Sequence, residues 1–556
     1  MNLTIVLILL VSFSLQVYGD KLSASEPIVI TAKGKIRGTI IKSLLEKDIY
    51  SFRGIRYAKA PVGELRFQPP VPIDNWNDVY NATKDGPACP QPGKMLKSED
   101  CLFLNVYTTK FPSKFHNPKR PVIVYIHPGG FYGASGASHI TGPQYLLDED
   151  VVLITINYRL AALGFASSGD KLAPGNNGLK DQVLALKWVQ ENVLLFGGDP
   201  NLVTIFGYSA GGISVAAHLL SPMSKGLFHR AIAMSDTIFK QTPIVHHQFH
   251  LLQKQARLVG CPDDTSENIM NCLKTIPAEE LGNSLSGFCE FRFDPLLIWL
   301  PVIELDFGQE RFLTEHPITS ALKGKFAKVP FMTGITTEEF SRFATHLVSV
   351  PEYVNQINED FETIAPIAFM YERNTTKSKY ISSQLKKHFL NDGPVGNSTL
   401  EGLKHLYADA TVGFPINRGA KLLSKLNTEC TYYYRFSYQG RFSYYYLPNT
   451  TIPYGVVHHD DLIYLFWVST RFPKFNITDP EYKMVRKLTK LITNFARTGK
   501  PIPSPTQELD NTDWVPFTPE NNKYMDIGET LMMRENLYED RYSVWDKLFP
   551  LSDYEN

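Results

Sequence analysis

One turn constrains this chain more than any other stretch: "LVTIFGYSAGGISVAAHLL", residues 202–220. Val203, Ile205 and Phe206 are β-formers, whereas Gly212 to Leu220 has the apolar content of a buried helix. A strand must therefore pass directly into a helix at Ser209, with Gly207 and Gly211 two residues away on either side. Such a turn strains the serine backbone and pushes its side chain outward. Residues two before and two after must be small, because their Cβ atoms would collide. The helix N-terminus after Ser209 also favours negative charge there, which suits a nucleophile. G-x-S-x-G occurs in plain turns too, and the strand–turn–helix context is what selects the nucleophile reading.

The surrounding pattern supplies that context. "PVIVYIH" (121–127), "VVLITIN" (151–157), "LVTIFG" (202–207), "AIAMS" (231–235) and "VPFMTG" (329–334) read as buried strands of a mostly parallel sheet. Between them, 179–200 has helical apolar spacing and a Gly-Gly-Asp-Pro stop. The alternation predicts an α/β fold, a large mostly parallel twisted sheet flanked by helices. No stretch rich in Pro, Gly or Ser divides the chain, so 20–556 is read as a single domain. The tyrosine-rich 431–451 reads as a late strand followed by an aromatic loop. Lys+Arg and Asp+Glu are both 56, and without a basic patch the chain has no mark of a nucleic-acid partner.

The first residues, "MNLTIVLILLVSFSLQVYGD", carry an apolar run ending near Gln16, with small residues Val17 and Gly19 placed for signal cleavage. The pattern predicts a signal peptide over 1–19, although the segment before the apolar run lacks Lys or Arg. The run is short for a membrane span, and "WDKLFPLSDYEN" is neither a hydrophobic tail nor a retention signal. A secreted protein with no stable membrane anchor is expected. Six cysteines, at 89, 101, 261, 272, 289 and 430, suit an oxidising compartment. Asn81, Asn374, Asn397, Asn449 and Asn476 each head an N-x-[ST] sequon, which predicts glycosylated surface loops.

A serine nucleophile needs donors for its oxyanion and a base. "YIHPGGFYGASG" (125–136) follows an expected strand, and the N–H groups of Gly129 and Gly130 are candidates, with that of Ala210. Pro128 has no N–H to offer. The base should follow in the order Ser, acid, His. Among fourteen histidines, those of "YGVVHHDDLIYLF" (454–466) are the most suggestive. The same segment also reads as a metal site of His458, His459, Asp460 and Asp461, and "HHQFH" (246–250) is similarly ambiguous.

Taken together, these stretches resemble a type-B carboxylesterase of the cholinesterase-like branch of the α/β-hydrolases, over nearly the whole mature chain. "FRGIRYAKAPVGELRFQPP" (52–70), with Arg56 where a proline is common, resembles one family signature, and "SEDCLFLNVY" (98–107) a second. Residues 176–200 match the family's longest conventional stretch, and "FGYSAGG" its nucleophile turn. The resemblance implies Glu339 as the triad acid, the second of the Glu338/Glu339 pair, with Phe340 replacing the glycine that normally follows. It implies His458 as the base and leaves His459 on a variable position. It also implies disulfides Cys89–Cys101 and Cys261–Cys272, a structural Arg66–Glu99 ion pair, and no assignment for Cys289 and Cys430.

The implied chemistry is two-step acyl transfer from a small-molecule ester through an acyl-Ser209, with no metal and no organic cofactor. Some members of this fold family lack the serine and act as adhesion or binding proteins; Ser209, Glu339 and His458 together favour the enzyme here. The 89–101 loop is short and holds no Trp, and Tyr208 replaces the glutamate often found before the nucleophile, which disfavours a choline ester. Juvenile-hormone esterases often carry Gln at that place and Ala in place of Gly212, and this sequence departs at both. The overall flavour is that of secreted insect esterases, and a monomer or weak homodimer is the default expectation.

Overall fold

The computed structural model describes residues 26–555; the expected signal peptide, 1–19, lies outside the described residues. In chain order the strands are β1 (Ile28–Ile30), β2 (Lys35–Arg37), β3 (Thr39–Lys42), β4 (Asp48–Arg56), β5 (Tyr80–Asn81), β6 (Phe103–Thr108) and β7 (Arg120–Ile126). They continue as β8 (Val152–Ile156), β9 (Gly198–Tyr208), β10 (Arg230–Met234), β11 (Phe331–Thr336), β12 (Thr431–Phe436), β13 (Lys523–Ile527) and β14 (Leu531–Glu535). β1, β2 and β5 make a small sheet, and the rest form an 11-stranded sheet in the order β14-β13-β12-β11-β10-β9-β7-β8-β6-β4-β3. Its central strands, β8 through β13 in that order, are parallel, and antiparallel pairings close both edges. All five strands expected from the sequence lie in this parallel centre.

The central strands are apolar on both faces because both are covered. Val203 and Ile205 of β9 join one core cluster, whereas Phe206 and Tyr208 point into the other. The helices Asn177–Asn192 and Ala210–Leu220 cover the first face, through Leu179, Val183, Leu186, Ile213 and Ala217. The amphipathic helix Tyr482–Thr498 covers the second with Met484, Leu488, Leu491 and Phe495. The 177–192 helix stops before the Gly-Gly-Asp-Pro stretch, where Gly197 turns with φ 79° and Gly198 already begins β9. A further helical layer, including Phe361–Ala368, Thr376–Leu390 and Leu400–Ala408, packs around Phe343, Ile364, Leu385, Leu403 and Trp545.

The strand order fixes where chemistry belongs. From β7 the chain crosses to β8 on one side and then returns to β9 on the other, so the loops leaving β7 and β9 open next to each other. Such a switch point leaves a crevice at the carboxyl ends of the strands.

Both implied disulfides are present, Cys89–Cys101 and Cys261–Cys272, while Cys289 and Cys430 are free. Arg66 grips Glu99 through Nε and Nη2 at 2.5 and 2.6 Å, and its Nη1 donates to the carbonyls of Leu273, Lys274 and Ile276. One guanidinium thus joins the segments beside both disulfides. Arg56, where a proline is common, pairs with Asp100 and lies over the Phe103 ring. The side chains of Asn81, Asn374, Asn397, Asn449 and Asn476 are all at exposed positions.

Candidate active site

Ser209 sits at φ 54°, ψ −121°, directly between β9 and the helix Ala210–Leu220. Its N–H donates to the Met234 carbonyl at 2.9 Å, and its carbonyl accepts from Ile213 at 2.9 Å, so the strained residue is held from both sides. The neighbouring glycines are required by backbone meeting backbone. A Cβ on Gly207 would stand 2.1 Å from the Gly211 oxygen, and one on Gly211 2.1 Å from the Ile126 oxygen at the end of β7. One on Gly212 would stand 2.7 Å from the Asp236 oxygen. Gly211 is therefore where the nucleophile turn touches the loop carrying Gly129 and Gly130. Gly129, at φ 113°, is equally tight: its Cβ would lie 2.2 Å from the Gly133 oxygen. Among the described residues, no protein acceptor takes the N–H of Gly129, Gly130 or Ala210.

Glu339 and His458 lie on loops after β11 and after the aromatic segment. Glu339 is buried, accepts the Thr336 N–H at 2.9 Å through Oε1, and meets His458 Nδ1 at 2.5 Å through Oε2. Glu338 points elsewhere: its backbone N–H bonds the Val456 carbonyl at 2.9 Å, and its side chain lies against Gly455. Of the two glutamates, only Glu339 contacts His458. Nε2 of His458 has no hydrogen-bond partner among the described residues, and His458 lines one cavity with Ser209, Gly129 and Gly130.

Burial governs the electrostatics. It pushes the Glu339 carboxyl up to about 7, against the opposing pull of the Ser235 and Thr336 hydrogen bonds and of Lys240. It drives His458 well below its ordinary value, helped by the positive charges of Arg342 and Lys240. Both shifts express one cost, that of placing charge in an apolar site.

Three residues singled out in the sequence make contacts that the sequence did not foretell. Phe340, in the glycine's place, adopts φ 47° and lays its ring 4.3 Å from that of His458. Its positive φ shows why glycine suits the position; the aromatic contact offsets part of the strain. Tyr208, replacing the usual glutamate, accepts the His459 N–H at 2.7 Å with its hydroxyl. Asp460 is occupied by its own loop, accepting from Ser443 Oγ at 2.7 Å, Tyr444 N–H at 2.7 Å and Val457 N–H at 3.0 Å. Among the described residues no group of three His, Cys, Asp or Glu is arranged to hold a metal ion.

The inner cavity, about 180 Å³, is also lined by Tyr132, Leu296, Leu297, Arg342, Phe343 and Tyr445. Tyr132, Leu296, Arg342 and Phe343 are shared with an adjoining cavity of about 470 Å³. The inner one is small for a ligand cleft, and the two cavities share a wall. No helix among the described residues is long and apolar enough to cross a membrane.

Comparison with known proteins agrees with this architecture. The model of the carboxylesterase family matches residues 25–545. A juvenile hormone esterase of Tribolium castaneum is 36% identical over 533 residues, covering 91% of this chain and 88% of the relative. Esterase FE4 of Myzus persicae is 36% identical over 512 residues, covering 89% and 88%. The crystal structure of juvenile hormone esterase from Manduca sexta, with OTFP covalently attached, superposes with a TM-score of 0.83 at 30% identity, covering 94% of this chain and 99% of that one. With the family's fold and a match along nearly its whole length, the chain belongs to the carboxylesterase family and is a carboxylic ester hydrolase.

Proposed function

We propose that this carboxylesterase is a secreted, single-domain serine esterase in which Ser209, His458 and Glu339 act as nucleophile, base and acid. The observation that carries the assignment is the His458 Nδ1–Glu339 Oε2 contact of 2.5 Å, with Nε2 left unpartnered on the cavity wall that holds Ser209. His458 takes the Ser209 proton through Nε2 as Oγ attacks the ester carbonyl, while Glu339 orients the ring and stabilises the imidazolium. The unpaired N–H groups of Gly129, Gly130 and Ala210 receive the oxyanion of the tetrahedral intermediate. His458 then protonates the departing alcohol. Water repeats the sequence on the acyl-Ser209 and releases the carboxylate.

Secretion is supported by the amino-terminal apolar run, the two disulfides and five exposed sequons, which are the proposed glycosylation sites. The test is hydrolysis of 4-nitrophenyl butyrate by protein collected from the culture medium, wild type beside Ser209→Ala. Turnover should fall by roughly 10⁴-fold or more in the variant. A folded Ser209→Ala protein that keeps wild-type turnover would remove the nucleophile assignment.

A further inference from the structure

Arg342 stands apart from every other arginine among the described residues. Each of the others makes an ion pair or donates a side-chain hydrogen bond; Arg342 does neither, although it is half-buried in the wall shared by the two cavities. Arg159, for comparison, holds Asp181 at 2.7 Å, and Arg435 holds Asp526 at 2.9 Å. The Arg342 guanidinium is instead stacked on aromatic faces, 3.6 Å from the Tyr445 ring centre and 4.4 Å from that of Phe343. Stacking positions the plane but leaves the in-plane N–H donors without acceptors, and those donors recognise carboxylates.

The surroundings favour an anion. Arg292 and Arg471 are near enough to disfavour the Arg342 charge, as burial does. Of the cavity's own carboxylates, Asp236 is taken by Lys240 at 2.5 Å, and Glu338 forms no ion pair with Arg342, its side chain packing beside Gly455. Arg342 follows Glu339 by three residues, and its charge is felt at His458. A group that neutralises it would therefore be bound beside the reacting centre and would ease formation of the imidazolium.

Building on the serine-esterase reading of this site, we propose that Arg342 is a receptor for a negatively charged group on the substrate. The preferred esters then carry a carboxylate or similar anion that reaches Arg342 while the ester carbonyl reaches Ser209.

The test compares matched esters. Mono-4-nitrophenyl adipate against 4-nitrophenyl hexanoate places the anion on the acyl side; 4-carboxyphenyl acetate against phenyl acetate places it on the alcohol side. The quantity read is the ratio of kcat/KM, charged over neutral, within each protein, so a general loss of activity in Arg342→Gln cancels. A charge-assisted contact predicts that one ratio falls roughly ten- to hundred-fold in Arg342→Gln, with part of it restored in Arg342→Lys. The arm that falls tells which side of the ester carries the anion. Neutral esters hydrolysed with both ratios within about twofold of wild type would overturn the Arg342 assignment alone, whereas no hydrolysis of any of the four by wild type would overturn it together with the serine-esterase reading. Wild type supplies a second measure that needs no variant: adipate should inhibit hexanoate ester hydrolysis at least about tenfold more strongly than the neutral adipamide. Equal inhibition by the two would overturn the proposal.

Discussion

Glu338 and Glu339 carry the same carboxylate one residue apart, yet only Glu339 reaches His458. Their difference is one of direction, set by the backbone around Phe340 at φ 47°. Glu339→Gln should keep the size of the side chain but lose the acceptor that fixes the imidazole tautomer, lowering kcat by about 10³- to 10⁴-fold. Glu338→Gln should stay within a few-fold of wild type. The comparison is steady-state kinetics on one neutral ester, and exchanged outcomes would shift the acid by one residue. Neither composition nor periodicity separates the two glutamates, and family resemblance did so only by alignment. Arg342 was less legible still. Its chemistry is plain in the sequence, but its lack of a partner depends on Tyr445 and Asp236, which only the folded chain brings near.

At the scale of elements, the nucleophile turn was readable because its constraint is local. β-Branched residues, a serine and spaced glycines describe a strand turning sharply into a helix, and β9 and the 210–220 helix follow that pattern. What spacing does not reveal is the neighbour against which a glycine is tight. Gly211 faces the end of β7, so a methyl group there would drive the oxyanion loop away from Ser209. Gly211→Ala should abolish both the recovery of folded protein and esterase activity. Gly396→Ala, where a Cβ would meet nothing within 4 Å, should change stability by less than about 0.5 kcal/mol. Thermal melts and activity of the purified proteins check the pair; a Gly211→Ala enzyme that melts and turns over like wild type would contradict the contact. The central strands were legible as continuous apolar runs because both sheet faces are covered. The helical layer around Phe343 and Trp545 was not, since amphipathic spacing gives a face but not its partner.

Over the whole molecule, buried carboxylates couple stability to pH. Asp294 is 2% exposed, receives the Tyr407 hydroxyl at 3.2 Å, and forms no ion pair among the described residues. Burial raises its carboxyl to about 7 despite the opposing effects of Arg292 and the Tyr407 hydroxyl. An unfolded aspartate titrates near 4, so the folded state holds this proton more tightly. The associated stability is complete below about pH 4 and is lost as pH rises towards about 7. Asp294→Asn has no such proton to lose. Its stability relative to wild type should improve between pH 4.5 and pH 8 by a few kcal/mol, on the order of the pKa shift. Denaturant melts at the two pH values test this, and an unchanged difference would show that Asp294 does not titrate in this way.

The proposed catalytic parts are gathered from distant stretches of chain: Glu339 and His458 are 119 residues apart, and the Tyr208–His459 bond spans 251. None of them is brought into register until β7, β9, β10 and β11 lie side by side. Catalysis is therefore an all-or-nothing certificate of assembly. On the proposed triad, a nascent chain ending before the His458 loop would carry Ser209 without its base, so hydrolysis would wait for the later segment.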